Sequence, residues 1–334
     1  MLIFIAIFFI ALAATAVGTP QVRRLAQNLG FVDVPGGRKT QEQPIPLLGG
    51  LAIIGGMLLA VTLFFFVFYG RLPHPVAGVL LASAVVAAVG LIDDRQQLPF
   101  WTKLAGELCG TVILIYFGIH VQLPLPAFVN YAITIVWILG ISNAVNFLDN
   151  MDGLSTGISA VAASFILLLA VVQGQFLVAA MAAALLGATL GFLRYNFFPA
   201  EIYMGDAGSL FLGFMLAVLT MQLRFPENSN MVTWMVPVFI LFLPIFDMAL
   251  VVFSRLRRRV SPNTAGHDHV SHRLVARDYT PRETVLILYL VAGAGGMLAV
   301  YITQAGIIDG YLIGILTAVL AIAFIWRLDK KFAP

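Results

Sequence analysis

The sequence predicts an all-α, polytopic integral membrane protein of about eleven transmembrane helices (10–11). Three observations carry that expectation. Of the 334 residues, 60% are hydrophobic and 10% are charged, whereas a soluble domain carries about 25% charge. A surface so poor in charge has to face lipid, where only helices or closed barrels satisfy their own backbone. Residues 108–148 and 153–193 contain no Asp, Glu, Lys or Arg, and each run is long enough for two helices of about 20 residues folded back on one another. The basic residues are segregated along the chain, as they are in loops on alternate sides of a membrane.

The first apolar stretch covers residues 2–18. It has no basic segment ahead of it, and Arg23 and Arg24 follow it, so it reads as a retained helix rather than a cleaved signal. The next three cover 48–69, 74–92 and 100–119. The turn "HVQLPLP" separates the fourth from a fifth at 128–146, and "VQGQ" separates the sixth, 154–172, from the seventh, 176–193. Stretches at 208–223, 232–253, 284–302 and 307–326 complete the set. Of the 19 Lys and Arg, 17 follow odd-numbered spans or lie in the C-terminal tail, and Arg71 and Arg224 are the other two. The positive-inside rule then puts the N-terminus outside and the odd loops and C-terminus in the cytoplasm. Topology thus accounts for the net charge of +3 and the pI of about 9.1 without nucleic acid as a partner. The lone Cys109 excludes an intrachain disulfide. With no soluble insertion or repeat, residues 1–334 are expected to form one membrane-embedded domain.

Four polar stretches fall on the expected cytoplasmic side. In "LIDDRQQL", Asp93 and Asp94 are adjacent carboxylates that repel unless a cation or shared proton intervenes. They are either a solvated helix end or a metal or general-base site. In "NAVNFLDNMDGL", Asn143, Asn146, Asp149 and Asp152 recur every three residues with no Lys or Arg nearby. Asn143 and Asn146 can share a helix face. Asp149 and Asp152 cannot join them unless the helix ends, for which Asn150 and Gly153 are suitable places. Such an oxygen-rich cluster suits Mg²⁺. In "YNFFPAEIYMGDAGSLFLGF", Asp206 stands at the mouth of a span, either as a simple cap or beside open amides that hold phosphate oxygens. Tyr203 could stack on a base or anchor at the interface. In "RLRRRVSPNTAGHDHVSHRL", the arginines orient the chain, while His267, His269, His272 and Arg273 suit either zinc or phosphate. Asp247, in "PIFDMAL", is an intramembrane acid. It is either functional or ion-paired with an arginine near Arg255.

Together these stretches resemble the polyprenyl-phosphate N-acetylhexosamine-1-phosphate transferases, the family of WecA, TagO and MraY, over nearly the whole chain and in the family's order. "RKTQEQPIPLLGGLAI" resembles its early basic-Pro-Gly-Gly segment and "LIDD" its Asp-Asp motif. "NAVNFLDNMDGL" resembles its Asn-x-x-Asn-x-x-Asp-Gly-x-Asp-Gly signature, "NFFPAEIYMGDAGSLFLGF" its Met-Gly-Asp-x-Gly-Ser motif, and "HDHVSHRL" the His-x-His-His-Arg-Leu loop of the WecA and TagO branch. Asn150 replaces the first Gly of the signature, Ser271 replaces the middle His, and Gln41 stands near a usual His.

The resemblance implies a Mg²⁺-dependent enzyme, with Mn²⁺ a substitute. It would transfer N-acetylhexosamine-1-phosphate from a UDP-N-acetylhexosamine, UDP-GlcNAc first among them, to a polyprenyl (undecaprenyl) phosphate. The products are polyprenyl-diphospho-sugar and UMP, in the first membrane step of a cell-envelope glycan pathway at the cytoplasmic face of the plasma membrane. Carried over by position, Asp206 is the main Mg²⁺ ligand and Asn146 the second. Asp93 or Asp94 is the base, and Lys103 steadies the phosphates. Asn143, Asp149 and Asp152 shape the substrate pocket, Asn196 and Tyr203 meet uridine, and His269, His272 and Arg273 clamp the diphosphate. No His-His-His-x-Glu loop is present, which counts against an MraY-like phospho-MurNAc-pentapeptide transferase. A proton-coupled secondary transporter using Asp247 is the rival of another class, but transporters place their key polar residues near the midplane. The oligomeric state stays open, with a homodimer among the options.

Overall fold

The computed structural model describes residues 1–33, 44–261, 264 and 266–330. Gln41 and most of the basic stretch around Arg38 and Lys39 lie outside the described residues. The chain forms two compact units, Met1–Leu223 and Arg224–Pro334.

The first unit contains α1 (Leu2–Leu29), the strand pair β1 (Val32–Asp33) and β2 (Ile45–Pro46), α2 (Gly49–Tyr69), α3 (His74–Gln96), α4 (Phe100–Tyr116), α5 (Ala127–Leu148), α6 (Leu154–Val172), α7 (Phe176–Asn196) and α8 (Gly205–Gln222). The second contains α9 (Asn230–Thr233), α10 (Val236–Ile240), α11 (Phe242–Arg257), α12 (Val270–Val275), α13 (Pro281–Ile302) and α14 (Ile307–Lys330). Among the described residues, nine helices are long and apolar enough to cross a membrane, and the bent pair 230–240 and 242–257 makes a tenth if it is one span. The protein is therefore an all-α, multi-pass membrane protein.

Every apolar stretch of the sequence is helical, but three differ from their expected form. The first helix runs to Leu29, well beyond residue 18, because the turns that carry Arg23 and Arg24 stay helical after the apolar run has ended. It stops at Gly30. The fourth, α4, has only 17 residues, held between Pro99 and the turn at Phe117. The ninth stretch is broken, with a 73° bend between its halves. Pro237 and Pro244 give no N–H to a helix and fit only its first turn; each falls in the first turn of a new segment, α10 and α11.

In the first unit α2, α3 and α5 all pack on α8, while α1 and α6 pack on α7. Lipid gives helices no hydrophobic reason to associate, so close packing and small residues must do so. Glycines supply the approach here. A Cβ at Gly90 of α3 would lie 2.5 Å from the Asp206 carbonyl oxygen, and one at Gly208 of α8 would lie 2.7 Å from the Gly50 Cα of α2. One at Gly213 would lie 2.7 Å from the Ser142 Cα of α5. Three neighbours thus meet α8 backbone to backbone, two of them at its N-terminal turn.

Candidate active site

The end of the first unit where α3, α5 and α7 finish and α4, α6 and α8 begin collects the polar residues that the sequence singled out within that unit. Alternate helices run in opposite directions, so these six termini share one side.

Asp94, in the last turn of α3, accepts from the Asp206 amide at 2.7 Å through Oδ1 and from the Ala207 amide at 3.1 Å through Oδ2. It caps α8 from a neighbouring helix. Gly90, one turn earlier, lets α3 come close enough for this, and Gly205, at φ +71°, takes the left-handed turn that presents the amides. Amides expected to be open to phosphate oxygens are therefore occupied by a protein carboxylate. Asp93 is 8% exposed. It accepts from the Leu98 amide at 2.5 Å and from the Lys103 ammonium at 2.7 Å.

Lys103 also donates to Asp206 Oδ2 at 3.0 Å. The other oxygen, Oδ1, accepts from Asn146 Nδ2 at 2.9 Å, and the same amide reaches Ser209 Oγ at 2.8 Å. One ammonium thus bridges Asp93 and Asp206, whose side chains also interact directly.

The helix α5 ends at Leu148, as the fourfold Asn/Asp spacing requires, and Gly153, at φ +73°, opens α6. Asn150 donates to the Phe147 carbonyl at 2.9 Å, closing the end of α5. Burial first, and then the negative charges of Asp206, Asp94 and Asp152, raise Asp149 to about 8. Asp152 accepts from the Ala200 amide at 2.8 Å and from the Tyr203 hydroxyl. Burial first and then the Asp152 charge push the Tyr203 phenol above its ordinary value, so it stays a neutral donor. The Tyr203 backbone joins the strand pair, its amide donating to Pro46 O at 2.8 Å and its carbonyl accepting from Gly49 N at 2.9 Å.

Asn196 and Asn143 face inward. Asn196 is 2% exposed, donates to Ile202 O at 3.1 Å and accepts from Thr156 Oγ1 at 2.8 Å. It staples the loop that leads to Tyr203. Asn143 donates to Glu107 Oε2 at 2.7 Å and to Leu139 O at 2.8 Å. Glu107 escaped the sequence reading; its signal is a single acid one turn after Lys103 in the apolar run "KLAGELCG".

Lys103 thus pairs with Asp93 and Asp206, and the charges of Asp94, Asp152 and Asp206 act on Asp149 beside them. Among the described residues, no three His, Cys, Asp or Glu side chains form a ready-made metal cage. That donor set suits Mg²⁺, which is held by one or two carboxylates, several waters and substrate phosphates rather than by an all-protein cage. Asp206 and Asn146 are the residues that could hold it.

In the second unit, Asp247 is fully buried and accepts from the Val270 amide at 2.7 Å and bonds His269 Nδ1 at 2.7 Å. The expected arginine near Arg255 pairs elsewhere, Arg255 Nε donating to Asp268 at 2.9 Å. Arg273 is also fully buried; it donates to Asp268 O at 2.8 Å and Ser254 Oγ at 2.9 Å. Asp329 of α14 accepts from Ser254 at 2.6 Å and Arg257 at 2.5 Å. Burial first, and then the neighbouring His269 and His267, lower His272 to about 4, so it is neutral at pH 7.

That shift has a testable consequence. The unfolded chain takes up a proton on His272 near pH 6.5, which the folded chain refuses until about pH 4. Stability from this residue is therefore complete above pH 6.5 and is lost as pH falls toward 4. His272→Leu should flatten the acid limb of a denaturant-unfolding profile in detergent, by about 1–3 kcal/mol at pH 4 relative to pH 7. An unchanged acid limb would show that His272 is not buried neutral.

A glycosyl transferase family 4 model matches residues 76–224. A Bacillus subtilis protein named "probable undecaprenyl-phosphate N-acetylglucosaminyl 1-phosphate transferase" is 30% identical over 309 residues, which cover 90% of this chain and 85% of that protein. A Mycobacterium tuberculosis protein named "decaprenyl-phosphate N-acetylglucosaminephosphotransferase" is 32% identical, over 84% of this chain and 77% of that one. An Escherichia coli K12 protein named "undecaprenyl-phosphate alpha-N-acetylglucosaminyl 1-phosphate transferase" is 26% identical, over 84% and 79%.

Proposed function

Since the chain belongs to glycosyl transferase family 4, we propose that it transfers N-acetylglucosamine-1-phosphate from UDP-GlcNAc to a polyprenyl phosphate such as undecaprenyl phosphate. The observation that carries the reading is the meeting of Asp93, Lys103, Asn146 and Asp206 at one end of the helices of the first unit. A transporter would hold such residues near the bilayer midplane.

The reaction brings two phosphates together, so positive charge has to be supplied where they meet. Bound Mg²⁺ would neutralise the diphosphate and polarise the β-phosphorus, with Asp206 and Asn146 as its protein ligands and Mn²⁺ as a substitute. Lys103 orients phosphate oxygens from the bridge between Asp93 and Asp206. Asp93 is the better base of the pair: Asp94 commits both oxygens to backbone amides of α8, whereas one Asp93 oxygen is held by the side-chain ammonium of Lys103, which a bound phosphate can draw away. The acceptor phosphate loses its proton to Asp93, its oxygen attacks the β-phosphorus of UDP-GlcNAc, and the bond to UMP breaks. A direct displacement suffices, since positioning and charge dominate phosphoryl transfer. Tyr203, tied to Asp152, offers its ring to uridine, and Asn196 acts through the loop it staples. Asp149, raised to about 8 by burial and the neighbouring carboxylates, is mostly protonated at pH 7 and shapes the pocket. The assignment of His269, His272 and Arg273 to the diphosphate rests on the motif "HDHVSHRL".

The whole chain is proposed to act as one transferase domain of eleven spans in the plasma membrane. Its N-terminus would be outside and the site cytoplasmic, where the sugar nucleotide is. The test is transfer of labelled sugar phosphate from a panel of UDP-sugars into organic-extractable lipid, with Mg²⁺, with Mn²⁺ and with EDTA. Label should move from UDP-GlcNAc in the presence of either metal and stop in EDTA. Transfer from UDP-MurNAc-pentapeptide instead, or metal-independent transfer, would overturn the reading.

A further inference from the structure

We propose that Glu107 is a positioning residue of the transfer site, acting through Asn143 to hold Asn146 on Asp206; this rests on the site reading above. Glu107 lies in α4, one turn after Lys103, and is 0% exposed. Its Oε2 accepts from Asn143 Nδ2 at 2.7 Å, while Oε1 is buried without a hydrogen-bond partner. A carboxyl held in an apolar interior by one hydrogen bond is costly. An aliphatic side chain would fill the same space at lower cost, so what Glu107 contributes is the bond to Asn143.

That bond closes a ring. On α4, Lys103 reaches Asp206 of α8 at 3.0 Å. On α5, Asn146 reaches the other oxygen of Asp206 at 2.9 Å. One turn away on the same two helices, Asn143 of α5 reaches Glu107 of α4 at 2.7 Å. Residues three and four apart lie on one helix face, so Lys103 with Glu107 and Asn143 with Asn146 make two parallel rungs. The upper rung carries Asp206. The lower fixes the rotation of α5 against α4, which lipid-facing packing alone leaves loose. Without the lower rung, Asn146 can turn away from Asp206 while Lys103 stays.

The bond has a direction, and reversing it is the test. Four proteins are compared with wild type for transfer from UDP-GlcNAc and for unfolding midpoint in detergent: Glu107→Gln, Glu107→Ala, Asn143→Asp and the double variant Glu107→Gln/Asn143→Asp. Glutamine keeps an acceptor for Asn143 and places its amide where Oε1 lacks a partner, so kcat should stay within about threefold of wild type. Alanine should lower kcat by about tenfold or more with KM for UDP-GlcNAc within about threefold, because the nucleotide is held elsewhere. Asn143→Asp sets two carboxylates face to face and should be worse. The double variant restores a donor opposite an acceptor and should recover most of the loss in both kcat and midpoint. A double variant no better than Asn143→Asp, a fully active Glu107→Ala, or a Glu107→Gln as poor as Glu107→Ala would each overturn the proposal. If wild type itself transfers no sugar phosphate, the functional reading fails, and recovery of the midpoint still decides the pairing.

Discussion

Asp206→Asn is expected to abolish sugar-phosphate transfer while the protein stays folded. The carboxylate accepts from Lys103 on one oxygen and Asn146 on the other. An asparagine has one acceptor, so its amide must face either the ammonium or another amide, donor against donor. It also withdraws one negative charge from the ligand pair proposed for Mg²⁺. Together these should remove about 4 kcal/mol of transition-state stabilisation, a loss of about a thousandfold in rate. The fold should survive, because the backbone amide of residue 206 still bonds Asp94. Turnover within about tenfold of wild type at millimolar Mg²⁺, with intact unfolding behaviour, would remove Asp206 from the metal.

Lys103→Met is the second. The methionine stem fills most of the lysine's volume, so the change isolates charge and hydrogen bonds. Asp93 and Asp206 then face one another with no ammonium between them, and removing one member of a buried ion pair costs about 3–5 kcal/mol. Lys103 is 19% exposed, which places the loss toward the lower end. Transfer should fall by about a hundredfold or more. Metal-free protein should unfold earlier than wild type, and added Mg²⁺ should narrow the gap, because the cation takes over neutralisation. A variant whose stability ignores Mg²⁺ would show that no cation competes for these carboxylates.

The spans were legible because composition alone forces them. A run free of Asp, Glu, Lys and Arg over residues 108–148 admits little but two helices. Their ends were less legible. The first apolar run stops at residue 18, but the helix goes on to Leu29. The break near Pro244 is visible as a proline, yet the sequence does not say that both halves stay in place around it. The site divided in the same way. Asp93, Lys103, Asn146 and Asp206, grouped in one site by the family resemblance, meet in the structure. Asn143 and Asn196 carry the same amide and share the same motifs, but they point inward and tie helices and loops together. An asparagine's partner depends on the helix opposite, and a single sequence does not give that. Glu107 stayed hidden for the same reason: one acid in an apolar run gains meaning only when Asn143 faces it. Asp94 was legible as a carboxylate and illegible as a cap, because the helix it caps begins 111 residues later, at Gly205.

The burial of α8 also bears on how the chain enters its membrane. Of the nine candidate spans among the described residues it is the least apolar, and it is the most enclosed, with 83% of its residues buried. A segment carrying Asp206, Ser209 and several glycines partitions weakly into bare lipid. Its partners α2, α3 and α5 all leave the ribosome before it does. They carry the Gly50, Gly90 and Ser142 surfaces that fit its backbone, and Asp94 already waits for its first amides. The helix that bears Asp206 is therefore delivered to a waiting protein cleft rather than to the bilayer. Translation order becomes part of assembling the site: a chain permuted so that α8 emerged first would have to place its least lipid-soluble helix with nothing to receive it.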